Sequence, residues 1–112
     1  MEQQDHKYVT ILVTAPPDKV ADIGRTLVQE RLVACANIIS GVRSIYSWDG
    51  GVCDEGESLM ILKTRAAMLE TVRQRVVQIH PYDVPEVIAL PIVGGHGPYL
   101  QWIADNTGKE PA

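Results

Sequence analysis

The chain has 112 residues, a net charge of −4, 46% hydrophobic residues and two cysteines. That length fits one domain with a real core, and scattered basic residues in an acidic chain exclude a nucleic-acid footprint. No apolar run approaches the roughly 20 residues that span a bilayer, and the polar opening MEQQDHK lacks the apolar core of a secretory signal, so a cytoplasmic location with free thiols at Cys35 and Cys53 is expected.

Residues 1–7 read as a disordered lead-in, residues 8–106 as the folded domain and residues 107–112 as a flexible tail. The run 8–14 (YVTILVT) is short and nearly continuously apolar, as expected of a strand covered on both faces. Ala15-Pro16-Pro17-Asp18 stops it, and Asp18 is placed to cap a following helix. Val20, Ile23, Leu27, Val28 and Leu32 recur at helical spacing and give that helix an apolar stripe. Gly24 lies inside it, where it costs about 1 kcal/mol against alanine and implies close packing.

Residues 38–64 hold two β-prone runs around Asp49-Gly50-Gly51, which tolerate the positive φ of a tight hairpin. With all three in the loop, Trp48 faces Val52 and Arg43 faces Glu57 in a cross-strand ion pair. With Gly50-Gly51 alone in the loop, the register shifts by one. Each arm has about 13 residues and extends up to about 43 Å, whereas a compact domain of this size spans about 34 Å, from a radius of gyration near 13 Å. The hairpin is therefore expected to bend at bulges marked by Gly41 and Gly56 and to pack its far end on another copy.

Thr64 is the expected N-cap of a second helix with Met68, Leu69, Val72, Val76 and Ile79 on its apolar face, ended by Pro81. A stiff loop over residues 80–85 leads to a fourth strand at 86–93, where Pro91 suits an edge. After Gly94-Gly95-His96-Gly97, Pro98 opens a last helix that reaches Asn106. The order β-α-β-β-α-β plus a terminal helix, with right-handed crossovers, gives an α+β ferredoxin-like sandwich. Leu59, Ile61, Ile88, Leu90 and Ile92 supply more apolar surface than two helices hide, so self-association is expected.

Chemistry-bearing residues are few. His80, near Tyr82, Asp83 and Glu86, reads either as a metal ligand or acid–base group, or as a helix-end histidine bonded to a free carbonyl. Cys53 reads as an incidental strand residue and Cys35 as core. No CxxC, HExxH or His/Cys cluster marks a zinc site. Glu57 and Lys63 share a strand face by their even spacing, and either pair across an interface or line a cleft. The glycine turn before the last helix is a weak anion cradle. No group has an evident activating partner, so no catalytic residue is assigned and the chain reads as non-enzymatic.

The runs Val33-Ala34-Cys35-Ala36-Asn37, Ser44-Ile45-Tyr46-Ser47-Trp48-Asp49-Gly50, Glu57-Ser58-Leu59-Met60-Ile61-Leu62-Lys63-Thr64 and His80-Pro81-Tyr82-Asp83-Val84-Pro85-Glu86, together with Tyr99-Leu100-Gln101-Trp102-Ile103, closely resemble the CutA-type divalent-cation-tolerance proteins. The resemblance implies a ferredoxin-like homotrimer with long hairpins reaching onto neighbours, and a role in tolerance of copper and other divalent cations. His80 matches a histidine to which copper binding has been assigned in some members. The cysteine and second histidine of that copper site are here Val13 and Ile79, so one of three ligands survives. Tyr46, Trp48, Glu57, Lys63, Tyr82 and Glu86 match family positions around the inter-subunit region and are expected at a cleft or interface. In architecture alone the chain also resembles the PII-type signalling trimers, which implies as an alternative a sensor or scaffold binding a metabolite or partner between subunits.

Overall fold

The computed structural model describes residues 6–108. The expected disordered lead-in and flexible tail fall mostly outside that span. At its ends, the Lys7 carbonyl accepts the Ala66 N–H and the Gly108 N–H donates to the Arg31 carbonyl. Thr107 is buried, its hydroxyl bonded to the Ile103 carbonyl and to Arg65 Nε. Ordered structure thus continues through Gly108.

The elements are β1 (Tyr8–Ala15), α1 (Val20–Gln29), β2 (Cys35–Trp48), β3 (Gly51–Arg65), α2 (Leu69–Ile79), β4 (Ile88–Pro91) and α3 (Gly97–Asp105), with a 3-10 turn, Ala66–Met68, before α2. The four strands form one antiparallel sheet in the order β2-β3-β1-β4. Alternate residues of β1 (Val9, Ile11, Val13, Ala15) are buried, as are Ser58, Met60, Leu62 and Thr64 of β3. These pack against Val20, Ile23 and Leu27 of α1 and Val72 and Val76 of α2. One sheet face therefore carries both helices, and the intervening β1 residues stay only half-buried instead of being covered on both sides. The apolar strand cores and helical stripes drive this arrangement, because each element has one face to remove from water.

On the opposite face α3 lies against the end of β3. Ile103 is fully buried, and Lys63 Nζ sits 5.8 Å from the centroid of the Tyr99 ring. Arg31 donates to the Asp105 and Gly108 carbonyls and ties the last turn to the end of α1. Much of the rest stays open: Ile88 and Leu90 are each 51% exposed, and Ile39 on the β2 edge nearly as much.

Several local expectations are corrected. Asp18 forms no cap, since α1 begins at Val20 from a turn on the Pro16 carbonyl. Thr64 belongs to β3, and its buried hydroxyl donates to the Leu32 carbonyl, so it is not free to cap α2. The fourth strand keeps only four residues, at the sheet edge where Pro91 needs no partner for an N–H. Cys35, expected in the core, is half-buried on the edge strand with its thiol on Asn37. Gly24 meets its expectation: a Cβ there would stand 3.1 Å from Met60 Sδ and 3.2 Å from Ala36 Cβ.

The hairpin closes on a two-residue turn that is neither of the two expected loops. Trp48 pairs with Gly51, so the loop is Asp49-Gly50, both at positive φ (49° and 79°). Such a two-residue turn matches the twist of the flanking strands. Both expected registers are wrong, and Arg43 faces Gly56 instead of Glu57. A bulge between Ile39 and Val42, with Gly41 at φ 80°, bends β2 as expected, whereas Gly56 stays in regular pairing. Pairing with β1 begins only at Ser58, so β3 before that residue has β2 as its one neighbour. A two-stranded ribbon therefore projects from the body. The radius of gyration is 15.0 Å and the longest extent 47 Å, against about 13 Å and about 34 Å for a compact chain of this length.

Candidate functional site

Along the ribbon, from Glu57 near its base to Trp48 near its tip, runs a concave pocket of about 750 Å³. Its walls are Thr14 from β1, Arg43, Ser44, Ile45, Tyr46 and Trp48 from β2, Cys53, Glu55 and Glu57 from β3, and Tyr82, Asp83, Val84 and Glu86 from the loop after α2. The ladder explains why these side chains meet. Tyr46 pairs with Cys53, Ser44 with Glu55 and Val42 with Glu57, and residues directly opposite share a face. The proline-braced loop closes the far side, because Pro81 ends α2 by holding His80 extended (ψ 140°).

Five of the six residues expected at a cleft thus line one pocket: Tyr46, Trp48, Glu57, Tyr82 and Glu86. Lys63 does not. It points to the same face of β3 but lies six residues along the strand, where it donates to Asn37 Oδ1 at 2.8 Å beneath α3. The sequence reading missed Glu55, named Asp83 only as a neighbour of His80, and treated Cys53 as incidental. The period of two running back from Glu57 through Glu55 to Cys53 was the available signal.

Charge in the pocket is one-sided. The lining holds four carboxylates, Glu55, Glu57, Asp83 and Glu86, and one basic residue, Arg43, whose side chain turns to the other face of the ribbon. Arg43 is already committed to Asp54, with Nε–Oδ1 at 2.9 Å and Nη2–Oδ2 at 2.7 Å. That bond holds the Asp54 carboxyl below its ordinary range. Glu57 is 5% exposed, and its Oε2 accepts the Tyr82 hydroxyl at 3.0 Å. Burial first, and then that bond to Glu57, push the Tyr82 phenol up to about 12. Tyr46 is raised too, by burial and then by the charge of Glu55.

A pH dependence follows. The folded chain holds the Tyr82 proton to about 12, whereas an unfolded tyrosine releases it near about 10. The unfolded state therefore loses its proton first as pH rises. Stability from Tyr82 is fully present below about pH 10 and is lost between about pH 10 and 12. Urea unfolding across that window should show a steeper loss for the wild type than for Tyr82→Phe. Parallel curves would contradict the assignment.

His80 sits beside this pocket and is buried. Its Nε2 lies 2.8 Å from the Thr14 carbonyl, and its Nδ1 lies 3.1 Å from the Tyr82 amide nitrogen. A carbonyl only accepts and an amide only donates, so the ring is the neutral Nε2–H tautomer with both nitrogens engaged. No lone pair is left for a metal. Val13 is fully buried, and among the described residues no three His, Cys, Asp or Glu side chains come together to hold an ion. The residues present do not fit a chelated copper ion.

The CutA1 divalent ion tolerance protein family matches residues 9–106. The divalent-cation tolerance protein CutA of Thermus thermophilus is 46% identical over 99 residues, which cover 88% of this chain and 96% of that one. The chloroplastic protein CutA of Arabidopsis thaliana is 44% identical over 100 residues, and there the match spans 55% of the relative's length. The crystal structure of CutA1 from Shewanella sp. SIB1 superposes with a TM-score of 0.90 at 41% identity, covering 95% of this chain and all of that one. The α+β sheet and three helices described above are those of these structures, and the chain belongs to the CutA1 divalent ion tolerance protein family.

Proposed function

We propose that this chain is the ferredoxin-like subunit of a non-enzymatic homotrimer that serves divalent-cation tolerance. The observation that carries the cation-facing part is the pocket, in which four carboxylates gather while Arg43, the one basic residue of its lining, is held on the other ribbon face by Asp54. Such a concavity concentrates cations in front of it. The ribbon supports assembly. An isolated two-stranded hairpin is marginal in water, yet here it exposes Ile45 (64%), Trp48 (58%) and Val52 (79%). A neighbour that covered them would stabilise ribbon and pocket together.

The engaged nitrogens of His80, with Val13 and Ile79 in place of the other copper-site ligands, favour tolerance without a tight copper chelate. The same engagement removes the best acid–base candidate, and Tyr82 holds its proton through neutral pH, which supports a non-enzymatic role.

Three measurements test this together: light scattering, calorimetric titration with Cu(II), reduced Cu(I) and Zn(II), and growth on raised copper or zinc of cells lacking their own homologue. A stable trimer is expected, restoring growth while binding no metal more tightly than about 10 μM, roughly −7 kcal/mol. A monomer at micromolar concentration, or no restored growth, would overturn the proposal.

A further inference from the structure

The pocket's size and walls say more about the cation it takes. This step rests on reading the pocket as cation-facing and narrows the class of ligand. Its volume of about 750 Å³ lies in the range of small-molecule sites, about 300–1,000 Å³. A bare divalent ion needs several ligands converging on one point, and the described residues offer no such group. The walls instead include the aromatic rings of Tyr46, Trp48 and Tyr82, and ring faces attract organic cations.

Glu57 supplies the anchor. It is 95% buried by its 5% exposure, and no basic side chain of the described residues lies against it. Tyr82 occupies Oε2, while no hydrogen bond among the described residues reaches Oε1. No fully buried side-chain oxygen there lacks a partner, so Oε1 is open to the cavity. A buried carboxylate without a counter-charge is costly, and an acceptor oxygen facing the space calls for an N–H donor that carries positive charge. The register of the ribbon creates this state, since Arg43 faces Gly56 and reaches Asp54 instead of Glu57.

We propose that the pocket binds a small organic cation through its protonated nitrogen, which donates to Glu57 Oε1 and lies against the rings of Tyr46 and Tyr82. Glu55 and Glu86, exposed at the mouth, add long-range attraction.

Calorimetry of the full chain with agmatine, which carries both an ammonium and a guanidinium, tests this against tetramethylammonium, a cation with no N–H. Saturable agmatine binding near one per chain is expected, with a Kd below about 1 mM and tetramethylammonium at least about tenfold weaker. Glu57→Gln keeps an acceptor for Tyr82 but removes the charge, and should weaken agmatine about tenfold or more at unchanged molar mass. If that variant fails to assemble, Glu55→Gln, at an exposed position, should weaken binding about threefold in low salt and less in high salt. No saturation up to about 10 mM agmatine, equal binding of tetramethylammonium, or variants that bind as the wild type does would each overturn the proposal. A trimer that restores metal tolerance but ignores agmatine overturns this inference alone. Loss of assembly and tolerance overturns the reading beneath it.

Discussion

Trp48→Ala is expected to convert the assembled protein into a species that dissociates on dilution, and not merely to loosen a loop. Within one chain the indole is 58% exposed, at the ribbon tip beside the Asp49-Gly50 turn. Its removal therefore costs an isolated subunit little. A neighbour that covers the rest would hide roughly 140 Å² of a tryptophan surface of about 250 Å². At about 25 cal/mol per Å² this gives about 3–4 kcal/mol per subunit, close to the cost of truncating a buried tryptophan. In the proposed trimer three copies of that loss act on one assembly equilibrium, so dissociation becomes concentration-dependent at micromolar chain. Light scattering on a dilution series reads the result directly. A variant that keeps the wild-type mass throughout would show that the tip lies free.

How far the hairpin was legible in the sequence depends on which physical rule governed each residue. Its overhang followed from arm length alone, and Gly41 marked a bulge because only a residue at ease with φ near 80° fits there. The register did not follow, because Asp49-Gly50-Gly51 tolerates positive φ throughout, and the two loops weighed, all three residues or Gly50-Gly51 alone, both miss the observed one. In the structure the loop is Asp49-Gly50, a two-residue turn that matches the strand twist, with Gly51 drawn into the ladder. Thr64 shows another limit. As a residue type it is a good cap, but it alternates into the buried row of β3 and donates its hydroxyl to Leu32. Tertiary burial outranked local propensity.

The pocket was legible where motif and strand period agreed. Tyr46, Trp48 and Glu57 meet because the ladder places them on one side, and Tyr82 and Glu86 because Pro81 and Pro85 brace the loop that carries them. Lys63 lies outside this pocket because an even spacing fixes a face but not a position along the strand. Six residues at about 3.3 Å each carry it about 20 Å away, to Asn37 and α3. Nor could the sequence show Glu57 without its basic partner, since one step of register decides whether Arg43 reaches it.

His80→Ala should separate a structural histidine from a metal ligand. The ring joins two segments, the end of β1 through the Thr14 carbonyl and the pocket loop through the Tyr82 amide, from a backbone whose N–H donates to the Val76 carbonyl at the end of α2. It also lies against the Tyr82 ring, with centroids 4.7 Å apart. Alanine leaves one acceptor and one donor without partners at a buried place, each at a cost of about 1–3 kcal/mol. A loss of roughly 2–4 kcal/mol in urea unfolding is therefore expected, after allowance for partial solvation of the two groups. Tyr82 would lose its seat as well, so its phenol should fall from about 12 back toward the ordinary tyrosine value. Affinity for Cu(II) or Zn(II) should stay within about twofold of the wild type, less than half a kcal/mol, because neither nitrogen offers a lone pair in the folded chain. If the wild type instead binds copper tightly and His80→Ala abolishes it, the ring must leave Thr14 or Tyr82 on binding. The metal would then have to overcome the same bonds that make the histidine structural.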